Sequence, residues 1–248
     1  MYWNVIEKIF HSVIIAVIII AILCVGGMFI LRYQVEGESN MPFKISKISI
    51  IESVEGTEKD NASEKWNFNV NQNNDIYIYI EKNDDYKKQE TIKNVKLENI
   101  TIAEKPEVGE MKIYKPISND SVLFENKDEN IVNELEFKGA KSTDAKKLEI
   151  SNQGGVLIFR CANNNIGTYT SNDDAEINYN NLINKLNIEE SSLISKIKFN
   201  IKITLNSGKV FSADNVEIQV PNEGINENGT VGHEYTDLQS IVFKRIEN

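Results

Sequence analysis

The sequence predicts a mainly β protein: a single N-terminal transmembrane helix, then an antiparallel β-sandwich-like domain with one or two short helices near residues 178–195. Three observations predict it. An uncharged run of 19 residues, Val13 to Leu31, lies near the start. Beyond it, apolar residues recur with period two in many places, the spacing of half-buried strands. One stretch departs from that period: Leu182, Ile183, Leu186, Leu193 and Ile194 are spaced by three, four and seven residues, which suits a helix packed on a sheet.

The uncharged run, as a helix rising 1.5 Å per residue, spans about 28 Å, close to the roughly 30 Å hydrocarbon core of a bilayer. Tyr2 and Trp3 on one side and Tyr33 on the other suit the two interfaces. The run is longer than the roughly 7–15-residue apolar core of a signal peptide, and no small-x-small cleavage pattern ends it. Cys24 follows Leu23, whereas a lipoprotein processing site has a small residue there. The reading is an uncleaved anchor: a short cytoplasmic tail at 1–10, a transmembrane helix at 11–32 in contact with membrane lipid, a linker at 33–42 and a β-rich domain at 43–248. Lys8 and Arg32 flank the run almost symmetrically, so the positive-inside rule barely votes. A short tail before a first apolar segment and an acidic, β-rich remainder favour a C-terminal domain outside the cytoplasm.

Within the domain, two strands share an irregularity. Phe43 and Ile45 change phase to Ile48 and Ile50, and Val95 and Leu97 change phase to Ile100 and Ile102. A one-residue slip turns half the side chains to the wrong face unless a bulge absorbs it, so bulges are predicted near Ser46-Lys47 and Glu98-Asn99. Trp66, Phe68 and Val70 alternate, then Asn71–Asp75 reads as a loop leading to Ile76, Ile78 and Ile80, with Tyr77 and Tyr79 on the opposite face; together this reads as a hairpin. Leu135/Phe137, Leu148/Ile150 and Val156–Phe159 add strands. Two short helices with a break near Asn187-Ile188 are predicted within 178–195, with Asn187 capping the second. The strongest strand is 197–205, with Ile197, Phe199, Ile201, Ile203 and Leu205 on one face and Lys198, Asn200, Lys202 and Thr204 on the other. Asn206-Ser207-Gly208 then turns the chain toward Val210 and Phe211, and Pro221 stops the run Val216, Ile218, Val220. The domain is either one large sandwich or two subdomains with a boundary near 125–150.

Composition limits the function. A formal net charge of −10 and a pI near 4.9 argue against a nucleic-acid partner. The chain holds 36 Ile, 32 Asn and 24 Lys against 3 Arg, a bias of A/T-rich codons that weakens Asn clusters as turn signals. His11 and His233 are the only imidazoles and Cys24 and Cys161 the only thiols, and no Walker loop, HExxH, GxSxG or EF-hand pattern occurs. No catalytic, cofactor or metal site is expected. Cys161 reads as a buried strand thiol. The segment 221–237 gathers Glu223, Glu227, His233, Glu234, Tyr235 and Asp237, and reads foremost as a solvated connection, with Ca²⁺ as the functional alternative. Asp173-Asp174 reads as a helix-entry turn. Lys196, Lys198 and Lys202 form a basic row that reads as a solvated face. The expected function is a membrane-anchored, extracytoplasmic, non-enzymatic binding or scaffolding domain at a bacterial cell envelope, meeting an envelope protein or polymer. The alternatives are a membrane-tethered cytoplasmic regulator and an anchored carboxylate-dependent hydrolase.

Overall fold

The structure, a computed structural model, describes residues 15, 17–26, 41–58, 66–118, 121–141, 144–171 and 179–246. Residues 17–26 form a helix, α1, whose Ile, Leu and Val side chains are 51–68% exposed. The 1–10 tail, both ends of the 11–32 span, residues 33–40 of the linker and Asp173-Asp174 lie outside the described residues. Among the described residues no helix is long and apolar enough to cross a membrane.

The rest is mainly β. Five strands make the first sheet: β1 (Phe43–Glu58), β2 (Trp66–Lys82), β4 (Glu110–Tyr114), β7 (Gly155–Ser171) and β10 (Thr230–Tyr235), in the order β10-β1-β2-β7-β4. Six make the second: β3 (Ile92–Glu104), β5 (Leu135–Ala140), β6 (Glu149–Ser151), β8 (Ser195–Leu205), β9 (Val210–Val220) and β11 (Lys244–Ile246), in the order β11-β9-β8-β3-β5-β6. Every pairing is antiparallel except β5 with β6. The sheets face each other across one apolar core, where the rings of Phe159 and Phe199 meet edge to face at 5.9 Å. Strands from both sides of residues 125–150 pair with each other, β2 with β7 and β3 with β8. Both sheets therefore interleave early and late chain.

Strand β8 alternates without a fault: Ile197, Phe199, Ile201, Ile203 and Leu205 are fully buried, and it lies third of six in its sheet. Both phase shifts are bulges. The β1–β2 register slips between Ile45 and Lys47, and the β3–β8 register slips between Glu98 and Thr101, where Asn99 takes a left-handed φ of 55°. Val210–Val220 is a single strand, with Asn215 at φ 57° absorbing its change of phase.

The 66–80 hairpin is not formed. Residues 66–82 are one 17-residue strand that runs straight through Asn71–Asp75. The amides that read as a turn are held inside the sheet: Gln72, Asn73 and Asn74 are at most 1% exposed. Their side chains find partners on neighbouring segments, which offsets part of the cost of burying them, although Asn73 Nδ2 and Asn74 Oδ1 have none. The side chain of Trp66 lies outside the description.

Strands β1, β2 and β7 have 16 or 17 residues, against 11 in β8 and β9. At about 3.3 Å per residue the first sheet overhangs the second by several residues. Short helical turns cover the overhang: α2 (Leu182–Lys185), a 3₁₀ turn (Glu190–Leu193) and α3 (Ile225–Asn228). They form a second small core of Leu182, Ile183, Leu193 and Ile225 on Val54, Val70 and Ile166. The two short helical turns of 178–195 thus exist, but Asn187 sits left-handed at φ 56° between them and Glu189 occupies the cap position of the second. Gly167 of β7 admits Leu186 so closely that a Cβ there would lie 3.0 Å from its methyl carbon.

Candidate functional site

Alternation gives β2 two distinct faces. The inner one carries Ile76, Ile78 and Ile80, then Asn74 and Gln72, then Val70. The outer one carries Asn67, Asn69, Asn71, Asn73, Asp75, Tyr77 and Tyr79. Each polar stretch builds a distinct constellation.

The outer constellation is a cleft of about 470 Å³ over β1, β2, β7 and β4, bordered by residues 124–128. Its anchor is Arg160 of β7, directly opposite Asp75. The guanidinium donates from Nε and a terminal nitrogen to the two carboxylate oxygens of Asp75 at 2.6 and 3.0 Å. It also donates to Asn126 Oδ1 at 3.3 Å and lies 4.9 Å from the centre of the Phe124 ring. This fork matches a carboxylate better than an ammonium would. Asn126 in turn donates to Asn73 Oδ1 at 2.8 Å and to Asn164 Oδ1 at 3.2 Å, so Arg160 and Asn126 clamp the 124–128 segment onto the sheet.

Amides line much of the cleft: Asn69, Asn71, Asn126, Asn164 and Asn165. Opposite Asn71, strand β7 bulges through residues 164–166, and Asn71 repairs the gap by accepting from the Asn165 backbone N–H at 2.9 Å. Tyr114 closes the floor: burial pushes its phenol up, and the 3.0 Å hydrogen bond donated by Asn164 pulls it partly back. The cations at the rim are paired within the chain. Lys112 lies 3.5 Å from Glu110 and 3.4 Å from Asp128, and Lys127 lies 2.8 Å from Glu125. The hydrogen bond to Asp128 raises Lys112 above its ordinary value.

The inner constellation is a buried polar layer between the two cores. Glu52 of β1 is fully buried, and burial pushes its carboxyl up to about 8, with Gln72 pulling down and Glu190 adding a smaller push. Gln72 donates from Nε2 to both Glu52 Oε1 and, at 3.1 Å, Asn222 Oδ1, which ties the start of the α3 turn to the sheet. Asn74 donates to the Cys161 carbonyl at 3.2 Å. Glu52 Oε2 and Asn74 Oδ1 have no protein partner, and the two residues sit directly opposite in the β1–β2 register. Protonation gives the Glu52 carboxyl a donor that its ionised form lacks.

The segments singled out in the sequence are placed as follows. Residues 221–237 are mostly not a loop: they form α3 and the edge strand β10, because Val231, His233 and Tyr235 alternate toward Glu52, Ile50 and Ile48 of β1. Glu234 points the other way, 2.7 Å from Lys47. The carboxylates of this segment do not converge, and among the described residues no group of three His, Cys, Asp or Glu is placed to hold a metal. Cys161 is fully buried in β7, and burial raises its thiol. Two of the row's lysines are matched across strands, Lys196 by Glu104 at 2.7 Å and Lys198 by Glu217 at 3.7 Å, while Lys202 stands between Lys96 and Ser212. Glu52, whose carboxyl is raised by burial, lies on the other face of the first sheet from the cleft. No protein-family model, curated protein or solved structure matches the chain.

Sequence reasoning passed over Glu52, Asp75, Asn126 and Arg160. Arg160 did carry a signal: in a chain with 24 Lys and 3 Arg, an arginine marks a place where fork geometry matters.

Proposed function

We propose that this chain is a single-pass membrane protein, anchored through residues 11–32, which displays the β-domain outside the cytoplasm at a bacterial cell envelope for non-enzymatic binding or scaffolding. One observation carries the reading. The aliphatic side chains of α1 are all at least half exposed, and neither core of the domain contains any of them. A contiguous apolar surface of that kind needs an apolar environment from outside the chain. Lipid meets the requirement, because a helix satisfies its own backbone within the hydrocarbon.

For the displayed domain, the amide-lined cleft is the place where a ligand would dock. An amide carries both a donor and an acceptor, as a hydroxyl group does. Those of Asn71, Asn126 and Asn164 are bonded within the chain, so Asn69 and Asn165 are the amides that would meet a ligand, and the neighbouring cations are matched by carboxylates. This suits an uncharged, hydroxyl-rich polymer. The test is fractionation of cells producing the full chain. It should stay in the membrane pellet through alkaline carbonate, and protease added to intact cells should digest the β-domain. Release by carbonate overturns the anchor, and a protected domain overturns the orientation in favour of a cytoplasmic regulator.

A further inference from the structure

The charge of the β-domain is distributed along the strands. The end where β1 begins is built from the chain just before Phe43, the β2–β3 loop, the stretch from β5 to β7, the β8–β9 turn and the end of β11. The pairings Phe43 with Lys82, Ile92 with Leu205 and Ile246 with Val210 bring these segments together. Hydrogen bonds hold the end rigid: Asn83 donates to the carbonyls of Pro42 at 3.0 Å and Met41 at 2.9 Å, Ile92 to Asn152 at 3.0 Å, and Asn206 to Thr91 at 2.9 Å. Segments 41–45, 80–93, 138–155, 204–210 and 244–246 hold twelve Lys/Arg against six Asp/Glu, whereas the remainder of 43–248 holds thirteen against twenty-eight. A domain of strongly acidic composition therefore has one basic end. Lys82, Lys87, Lys88, Lys93, Lys141 and Lys244 are exposed there.

This is also the end at which the chain leaves for the anchor. Met41 and Pro42 are hydrogen-bonded to it, and eleven residues, 32–42, separate the apolar run from β1. Fully extended, that tether reaches roughly 40 Å at most. We infer that the basic end of the β-domain is a docking surface for anionic phospholipid headgroups of the membrane that holds the anchor. The inference rests on the anchor reading above. A tether of this length confines the domain near the bilayer, and a basic face turned toward an anionic surface is attracted within about a Debye length, while the acidic remainder is repelled.

The experiment reconstitutes the full chain in vesicles of phosphatidylcholine alone and of phosphatidylcholine mixed with phosphatidylglycerol, floats them, and measures the rate at which each lysine reacts with a membrane-impermeant amine reagent. The chain should float with both vesicle types. Lys87, Lys88 and Lys141 should react several-fold more slowly on the anionic vesicles, while Lys105 and Lys127 react equally on both. The difference should vanish at about 1 M salt, where the Debye length is about 3 Å, and in the variant Lys87→Glu/Lys88→Glu/Lys141→Glu. Equal rates on both lipids, with the chain floating in each, overturn the docking surface and leave the anchor intact. Floating with anionic vesicles alone supports the basic surface and overturns the anchor, and floating with neither overturns both.

Discussion

Gln72 donates its side-chain amide to the carboxyl of Glu52 inside the first sheet, and that carboxyl has no route to water. The pair stands where the main core meets the helical turns over the overhang. Its second donation, to Asn222, makes the protonation of Glu52 a property of that junction.

The pH dependence of stability follows. Glu52 titrates near 4.5 in an unfolded chain and near 8 in the fold. Between those values the folded state holds a proton that the unfolded state has lost, so stability falls as pH rises from about 4.5 to about 8 and levels beyond. Glu52→Gln keeps an acceptor for Gln72 and removes the titration. It should flatten this fall and exceed the parent above pH 8 by an amount on the order of a few kcal/mol. Denaturant unfolding near pH 5 and pH 9 reads it, and an equally steep fall in the variant would assign the slope to other groups.

The clamp over the cleft makes a second prediction. Arg160→Met leaves Asp75 partly buried without its partner, a type of change that costs about 3–5 kcal/mol. Arg160→Met combined with Asp75→Leu removes the stranded charge and should cost clearly less than the single change. Thermal unfolding of the three proteins decides it; a double variant no better than the single one would show that the two side chains do not act as a pair.

Buried aliphatics give the third. Ile201 is fully buried in the middle of β8, whereas Lys202, on the outer face, is only partly covered. Ile201→Ala should cost about 2–5 kcal/mol, and Lys202→Ala should stay within about 0.5 kcal/mol. Comparable losses in denaturant midpoints would mean that β8 is not a central core strand.

How legible the fold was depended on which side of each strand carried the pattern. β8 buries five large side chains at every second position, and its faces and all but its first two residues were readable. The two bulges were readable because a phase shift in an otherwise strict alternation has few structural meanings. β2 was misread because its inner face changes from isoleucine to amide at Asn74 and Gln72. Local chemistry says turn there, and only the distant partners Glu52, Cys161 and Asn222 make the extended strand acceptable. β10 was hidden for a related reason. Its inward residues are Val231, His233 and Tyr235, too polar a set to read as a strand, and Tyr235 earns its place by donating 2.9 Å to the Gln219 carbonyl at the edge of the other sheet. The cleft combines β1, β2, β4, β7 and the segment that crosses them, so no single stretch of sequence displays it.

The bulge in β1 allows the fourth prediction, a deletion that should be tolerated. Ile45 pairs with Ile80 and Lys47 with Tyr79, so Ser46 is the residue without a partner across the ladder. Removing it leaves Phe43, Lys44, Ile45, Lys47 and Ile48 in unbroken alternation, with the apolar members still inward and every existing pairing with β2 retained. The Ser46 hydroxyl is buried without a hydrogen-bond partner, so its loss also removes a desolvated polar group. Deleting Ser49, three residues on, has the opposite geometry. If the Ser46 bulge takes up the gap, Lys47 turns inward and Ile48 outward; if it does not, one half of β1 presents Lys44 or Ile51 to the wrong face of the sheet. The expected result is a Ser46 deletion within about 1 kcal/mol of the parent and a Ser49 deletion that loses several times more, on the scale of core disruption. Equal damage from the two deletions would mean that the bulge is required by its own local geometry and is not a spare residue accommodated by the sheet.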